Sequence, residues 1–137
     1  MNLSEIYKMV EEDSKIDRTN LSEESLRIPE LHNKYRKMLL EQALVVRRAK
    51  KKYHEIRLER MDYYKGKGEK PCAKIIVGKD NVEAHLNADR ELNSFEDKLI
   101  CEEEKYKYIE NTIKELSNRS FQIKNAIEYL KFTNNTF

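Results

Sequence analysis

The residue types able to do chemistry are few in this chain and poorly placed for catalysis. His32, His54 and His85 stand alone, with no Cys, Asp or Glu at a metal-ligand spacing and no nucleophile signature beside them, so they read as surface or packing residues. Cys72 and Cys101 lack a Cys-x-x-Cys or other ligand spacing and read as reduced structural thiols. Glu102, Glu103 and Glu104 are adjacent, and three successive helical residues point in different directions, which argues against a shared metal. Gly66-Lys67-Gly68 lacks both the Gly-x-x-x-x-Gly-Lys-Ser/Thr pattern and the flanking hydrophobic strand of a phosphate loop. The expectation is a protein without catalytic residues, metal site or cofactor.

Basic residues carry the remaining signal. The formal net charge is only +2, yet residues 34–67 hold 12 basic and 4 acidic side chains. The cations are Lys34, Arg36, Lys37, Arg47, Arg48, Lys50, Lys51, Lys52, Arg57, Arg60, Lys65 and Lys67. Such a concentration is the electrostatic footprint of a phosphate binder. Tyr53, Tyr63 and Tyr64 lie among these cations, and aromatic rings in a basic surface stack unpaired bases, which favours single strands over duplex. The alternatives are a solvated helix face for the charges and a core role for the tyrosines.

These residues need elements to hold them, and composition points to helices. Gly (3) and Pro (2) are scarce among 137 residues, and 38% charged against 39% hydrophobic residues, without Trp, leaves a small core. Oligomerisation would help to stabilise such a fold. No run of about 18 apolar residues is present, and the start Met1-Asn2-Leu3-Ser4-Glu5 has no basic or apolar leader character, so a cytoplasmic protein without a membrane span is expected.

A first helix is predicted from Asn2 as N-cap with Glu5 as capping-box partner, showing Leu3, Ile6, Tyr7 and Val10 on one face. A connection at 15–20 and a turn of helix at 22–27 follow. Pro29 is suited to a first helical position, and Leu31, Tyr35, Met38, Val45, Ala49, Ile56 and Tyr63 continue at helical spacing to Tyr64. Gly66, Gly68, Pro71 and Gly78 then break the pattern, with Ala73–Val77 read as briefly extended.

From Asn87, read as an N-cap, a heptad pattern runs nearly to the end. Positions a are Leu92, Leu99, Tyr106, Ile113, Ser120 and Ile127; positions d are Phe95, Glu102, Ile109, Leu116, Ile123 and Leu130. All but Ser120 and Glu102 are apolar, so the oligomerisation residues expected are Leu92, Phe95, Leu99, Tyr106, Ile109, Ile113, Leu116, Ile123, Ile127 and Leu130. Ile100, Phe121, Tyr108 and Phe132 fall off this seam and widen the apolar surface beyond a two-stranded one. The alternative is a hairpin in which this helix packs on the long basic one. The chain is therefore expected to be all-α, with a helical DNA-binding lobe at 1–68, a linker at 69–86 and an oligomerisation helix at 87–137.

The run Arg60-Met61-Asp62-Tyr63-Tyr64-Lys65-Gly66-Lys67-Gly68-Glu69 resembles a motif of the UvsY family, the recombination mediators of T-even-type bacteriophages. Weaker likeness lies in 16–21, 86–90 and 118–124. The resemblance implies single-stranded DNA binding, a ring-like homo-oligomer above the dimer formed through C-terminal helices, and loading of a RecA-like recombinase onto strands covered by single-strand-binding protein, without enzymatic activity. It implies a Lys-x-Arg pair before Asp-Tyr-Tyr as a DNA contact. Arg60 matches the Arg, but Leu58 stands at the Lys position, and Arg57 one turn before Arg60 is the substitute charge. The expected strand-binding set is thus Arg60, then Arg57, Lys65 and Lys67, with Lys50, Lys51 and Lys52 as steering charge and Tyr63 and Tyr64 as stacking rings. A structural coiled-coil scaffold and a general nucleic-acid adaptor are the rival readings.

Overall fold

The computed structural model describes residues 1–72 and 74–134, and among them the regular structure is helical throughout. Four helices follow in order: α1 Leu3–Ser14, α2 Leu21–Tyr64, α3 Lys79–Asn87 and α4 Arg90–Asn134. None is long and apolar enough to cross a membrane among the described residues.

The capping box at α1 forms as its sequence predicts. The Asn2 side chain accepts from the Glu5 N–H at 2.9 Å, and Glu5 Oε2 accepts from the Asn2 N–H at 3.0 Å, satisfying two orphan donors of the first turn. α2 departs from expectation at Pro29. The helix begins at Leu21, so Pro29 lies inside it rather than at its first position. Its ring nitrogen cannot donate to the carbonyl four residues back. Ile28 and Leu31, which flank it, are both buried and hold this part of the helix on the core.

Contacts group the chain into two units, Met1–Glu41 with Lys105–Phe137, and Gln42–Glu104. This grouping differs from a division at residues 68 and 87, because α2 and α4 each contribute to both units. The segment 69–86 also differs from a plain linker, since α3 occupies Lys79–Asn87. Ala73 lies outside the described residues; Lys74–Val77 form no strand, although the Ile76 N–H donates to the Tyr64 carbonyl at 2.8 Å.

In the first unit Ile6 and Val10 of α1, Leu31 and Tyr35 of α2, and Ile109 and Leu116 of α4 form one core, with Ile109 only 1% exposed. Tyr7 meets Tyr108 edge-on at 4.7 Å. A polar knot closes this core. Asp13 Oδ2 accepts from Lys34 Nζ and from the Tyr35 hydroxyl, both at 2.6 Å, and the Asp13 carbonyl accepts from Arg27 at 2.8 Å and Arg119 at 3.0 Å. The end of α1 is thereby fixed to α2 and α4 by charge-assisted bonds.

In the second unit Ile56 of α2, Val82 and Leu86 of α3 and Leu92 of α4 form a core, with Tyr53, Met61, Tyr64, Ile76 and Phe95 packed on it. Gln42 donates to the Glu102 carbonyl at 2.9 Å and carboxylate at 2.6 Å. The one acidic interruption of the heptad seam therefore finds an amide opposite it, as a buried polar group requires.

Part of the seam is covered within the chain, with Leu92, Phe95, Ile109, Ile113 and Leu116 in or against these cores. Leu92, Leu99, Ile109, Leu116 and Ile123 are buried within the chain itself, and Phe95, Tyr106, Ile113 and Ile127 are half-buried. A single chain already fills most of the surface that a heptad pattern advertises for a partner. The helix cap also shifts: Asn87 ends α3, and Asp89 caps α4.

Replacing Ile109 by Ala is expected to cost about 2–5 kcal/mol, read by urea unfolding. Burial opposes the Asp13 charge, but the hydrogen bonds from Lys34 and Tyr35 and the attraction of Lys34 and Arg27 outweigh it and hold its pKa below the ordinary value. A carboxylate depressed on folding stabilises above its unfolded pKa of about 3.9, and that contribution is lost as pH falls through the folded value. The melting temperature should therefore drop below about pH 4, and Asp13→Asn should lower it at neutral pH and flatten that acid limb.

Candidate nucleic-acid interface

The interface expected from the basic run is built where α2 ends. The Gly66 N–H donates to the Tyr63 carbonyl at 3.1 Å and the Lys67 N–H to the Asp62 carbonyl at 2.8 Å, the paired bonds of a Schellman cap, with Gly66 at φ +75° in the left-handed region. Gly68 is required for another reason. A Cβ there would sit 3.1 Å from Tyr63 Cα and 3.3 Å from its backbone nitrogen. Both glycines of the motif therefore shape a helix stop, and the turn projects Lys65 and Lys67 into solvent.

The arginines of the same run behave otherwise. Arg57 donates to both Glu83 oxygens, at 2.7 and 2.9 Å, tying α2 to α3. Arg60 Nε donates to Asp89 Oδ2 at 2.8 Å, with Glu91 at 3.6 Å from its Nη1. The same Asp89 oxygen accepts from the Tyr64 hydroxyl at 2.6 Å, while Oδ1 accepts from the Leu92 N–H at 2.8 Å. The Arg60 guanidinium lies 4.3 Å from the centre of the Tyr63 ring.

The Asp89 side chain is 2% exposed, so its charge survives burial only because each oxygen is occupied. Burial pushes its pKa up, but the Tyr64 hydroxyl, the Leu92 N–H and Arg60 more than reverse that and hold it low. Burial, then the bond to Asp89, raises the Tyr64 phenol. Burial works to lower Arg60, and its bonds to Asp89 and Tyr64 overcome this and raise it.

The structure thus separates the expected residues. Arg57, Arg60 and Tyr64 are joined to carboxylates or packed on the core; Tyr53 packs on the core as well. Lys65 and Lys67 are exposed without an ion pair, and half-buried Tyr63 borders a cavity of about 370 Å³ that Lys67, Gly68 and Lys70 also line. Lys50, Lys51 and Lys52 are exposed but fan over about 200° of helix circumference, so they form no single cluster. Lys52 leans to Glu55 at 3.8 Å and over the Phe95 ring at 5.9 Å. Among the described residues no group of three His, Cys, Asp or Glu side chains converges to hold a metal ion.

Glu83, Asp89 and Glu91 are the functional-site residues that reading along the chain misses. They lie 26 to 31 residues from the arginines they neutralise. Of the three only Asp89 carries a signal, in the Leu86-Asn87-Ala88-Asp89-Arg90 patch, where an Asp precedes a helix.

The fold and this site define an all-helical protein with a concentration of positive charge along one long helix and at the glycine turn that ends it. The family described as "Recombination, repair and ssDNA binding protein UvsY" matches residues 9–136, and the chain belongs to that family. Three crystal structures of the bacteriophage T4 recombination mediator protein UvsY share the fold. The lattice type II form has a TM-score of 0.91 at 20% identity, covering 98% of each chain. The lattice type IV form has a TM-score of 0.90 at 20% identity, covering 96% of this chain and 99% of its own. The lattice type I form has a TM-score of 0.85 at 19% identity, covering 94% of this chain and 98% of its own. No curated protein matches the sequence significantly.

Asp89→Ala should be among the most destabilising single changes in this unit, at about 2 kcal/mol or more, because it removes a helix cap and the main partner of the half-buried Arg60. Differential scanning calorimetry checks it, with Glu91→Ala, exposed at the rim, expected to change stability by less than about 1 kcal/mol.

Proposed function

We propose that this protein is a recombination mediator that binds single-stranded DNA as a homo-oligomer, in the host cytoplasm, and promotes loading of a RecA-like recombinase onto strands coated with single-strand-binding protein. Its work is binding and assembly, without catalysis of its own. The observation that carries this reading is the family match over residues 9–136. The glycine turn supports it locally, because Lys67 lines the same cavity as Tyr63 and Lys65 is exposed close to it in the chain. Phosphates would meet the lysines while a base stacks near Tyr63, an arrangement suited to single strands.

In this proposal Arg60 and Arg57 act mainly by fixing that turn against α3 and α4, and Lys50, Lys51 and Lys52 add steering charge. Oligomerisation uses what the chain leaves uncovered at the end of α4, where Phe121, Tyr129, Leu130 and Phe132 are exposed. Several copies of a weak site on one strand then give tight binding by avidity.

Fluorescence anisotropy with labelled single-stranded and duplex oligonucleotides over a salt series tests this. Strand-selective, salt-sensitive binding is expected, and Lys65→Ala with Lys67→Ala should shallow the logarithmic salt slope by about 1.4, at about 0.7 per lost contact. Arg60→Ala should lower affinity and melting temperature together, whereas the double lysine variant should leave the melting temperature unchanged. An intact oligomer that binds no strand at low salt would leave only a structural scaffold.

A further inference from the structure

The glycine turn that ends α2 borders two cavities, and their charges differ. The one beside Tyr63 is lined by the carboxylates of Glu59, Asp62, Glu69 and Glu91, against the cations Arg60, Lys67 and Lys70, and Arg60 is already engaged by Asp89 and Glu91. The other, of about 550 Å³, is lined by Lys65, Lys67 and Lys79. Its one lining carboxylate, Glu83, has both oxygens held by Arg57. All three lysines are exposed, and none makes an ion pair with a described residue. A polyanion arriving at the turn is therefore drawn to this second cavity. Lys67 lines both, so the two adjoin there.

Most of the remaining wall is aliphatic. Ile75, 59% exposed, and Val77, 81% exposed, line the cavity on either side of Ile76, which packs on the core. The stretch is held in place, because the Ile76 N–H donates to the Tyr64 carbonyl at 2.8 Å and the Val77 carbonyl accepts from the Asn81 side chain at 3.1 Å. Ile75 also lies against the turn, since a Cβ added to Gly66 would come within 2.9 Å of its Cδ1. The volume falls among those of clefts that take one small organic molecule, roughly 300–1,000 Å³. Open aliphatic side chains fixed beside unpaired lysines suit a nucleotide, whose phosphate needs the charge and whose base needs an apolar surface for its face.

We propose that the cavity between the glycine turn and the start of α3 takes one unpaired nucleotide of a single strand, with Lys79 joining Lys65 and Lys67 on its phosphates and Ile75 and Val77 against its base. The strand runs on past Lys67 to Tyr63, where a neighbouring base stacks. A duplex offers the lysines its phosphates but keeps its bases paired, so the aliphatic wall selects single strands. Lys79 lies outside the basic run of 34–67 and is a strand-binding residue that charge counting along the chain leaves out. This inference deepens the strand-binding part of the proposed function and rests on it.

The test is fluorescence anisotropy on the full chain over a salt series, with two labelled probes of equal length: oligothymidylate, and a strand of the same deoxyribose phosphates without bases. Lys79→Ala should shallow the logarithmic salt slope by about 0.7 on both probes and leave the melting temperature unchanged. Ile75→Ser with Val77→Ser should weaken oligothymidylate at least about fivefold, the low end of what one base contact contributes, and leave the abasic strand and both slopes unchanged. Should the double variant melt early, Val77→Ser alone takes its place, because that side chain is the more exposed.

An unmoved slope in Lys79→Ala, or wall variants that weaken both probes equally or neither, overturns the inference. If the Lys65→Ala, Lys67→Ala chain is weakened in the same experiment, the inference falls alone; a wild type that binds no strand at low salt removes it together with the proposed function. A peptide alternating Glu and Leu that binds the wild type but not the wall variants, while strand binding stays unmoved, overturns it as well and assigns the cavity to a protein partner.

Discussion

The second unit turns on one carboxylate. Asp89 caps α4 through the Leu92 N–H, accepts the Tyr64 hydroxyl and holds Arg60, so three donors from two helices meet on two oxygens. A buried anion with an empty acceptor site would be costly, and the half-buried Arg60 would lose its main partner with it. Each group is tolerated because the others are present, which makes the arrangement all-or-none. The end of α2, the glycine turn and the start of α4 hold their mutual geometry as a consequence.

That constraint divides the basic run into two populations. Arginines, with planar guanidinium groups that suit paired contacts to carboxylates, carry the internal bridges to Glu83 and Asp89. Lysines, strongly hydrated and on flexible stems, remain at the surface around the same turn. The arginines of the family motif therefore hold in place the turn that carries the lysines, and their loss would show in stability.

The first unit uses a parallel device with different atoms. Asp13 gathers Lys34 and Tyr35 on its carboxylate and Arg27 and Arg119 on its carbonyl, and beneath it Ile6, Val10, Leu31, Ile109 and Leu116 exclude water. In both units a modest apolar core is finished by an acid that orders its neighbours, buried at Asp89 and half-buried at Asp13. With charged residues as frequent as hydrophobic ones, the chain has little apolar area to spend, and directional polar contacts supply part of the specificity.

By itself the sequence determined the helical class, the capping box at Asn2 and Glu5, the stop after Tyr64 and the family motif around it, because each depends on residues within one or two turns. Periodicity also marked Leu92, Ile109, Leu116 and Ile123 as inward-facing. Only the tertiary structure decided what they face, since the same 3.5-residue repeat serves a partner chain or the chain's own α1 and α2. Likewise, counting neighbours along the chain left Arg57 and Arg60 unpaired, while folding brought Glu83 and Asp89 to them from 26 and 29 residues away. Local rules read caps, turns and faces; which charges are cancelled and which seams are filled depends on contacts between distant segments, and those exist only once the chain has folded.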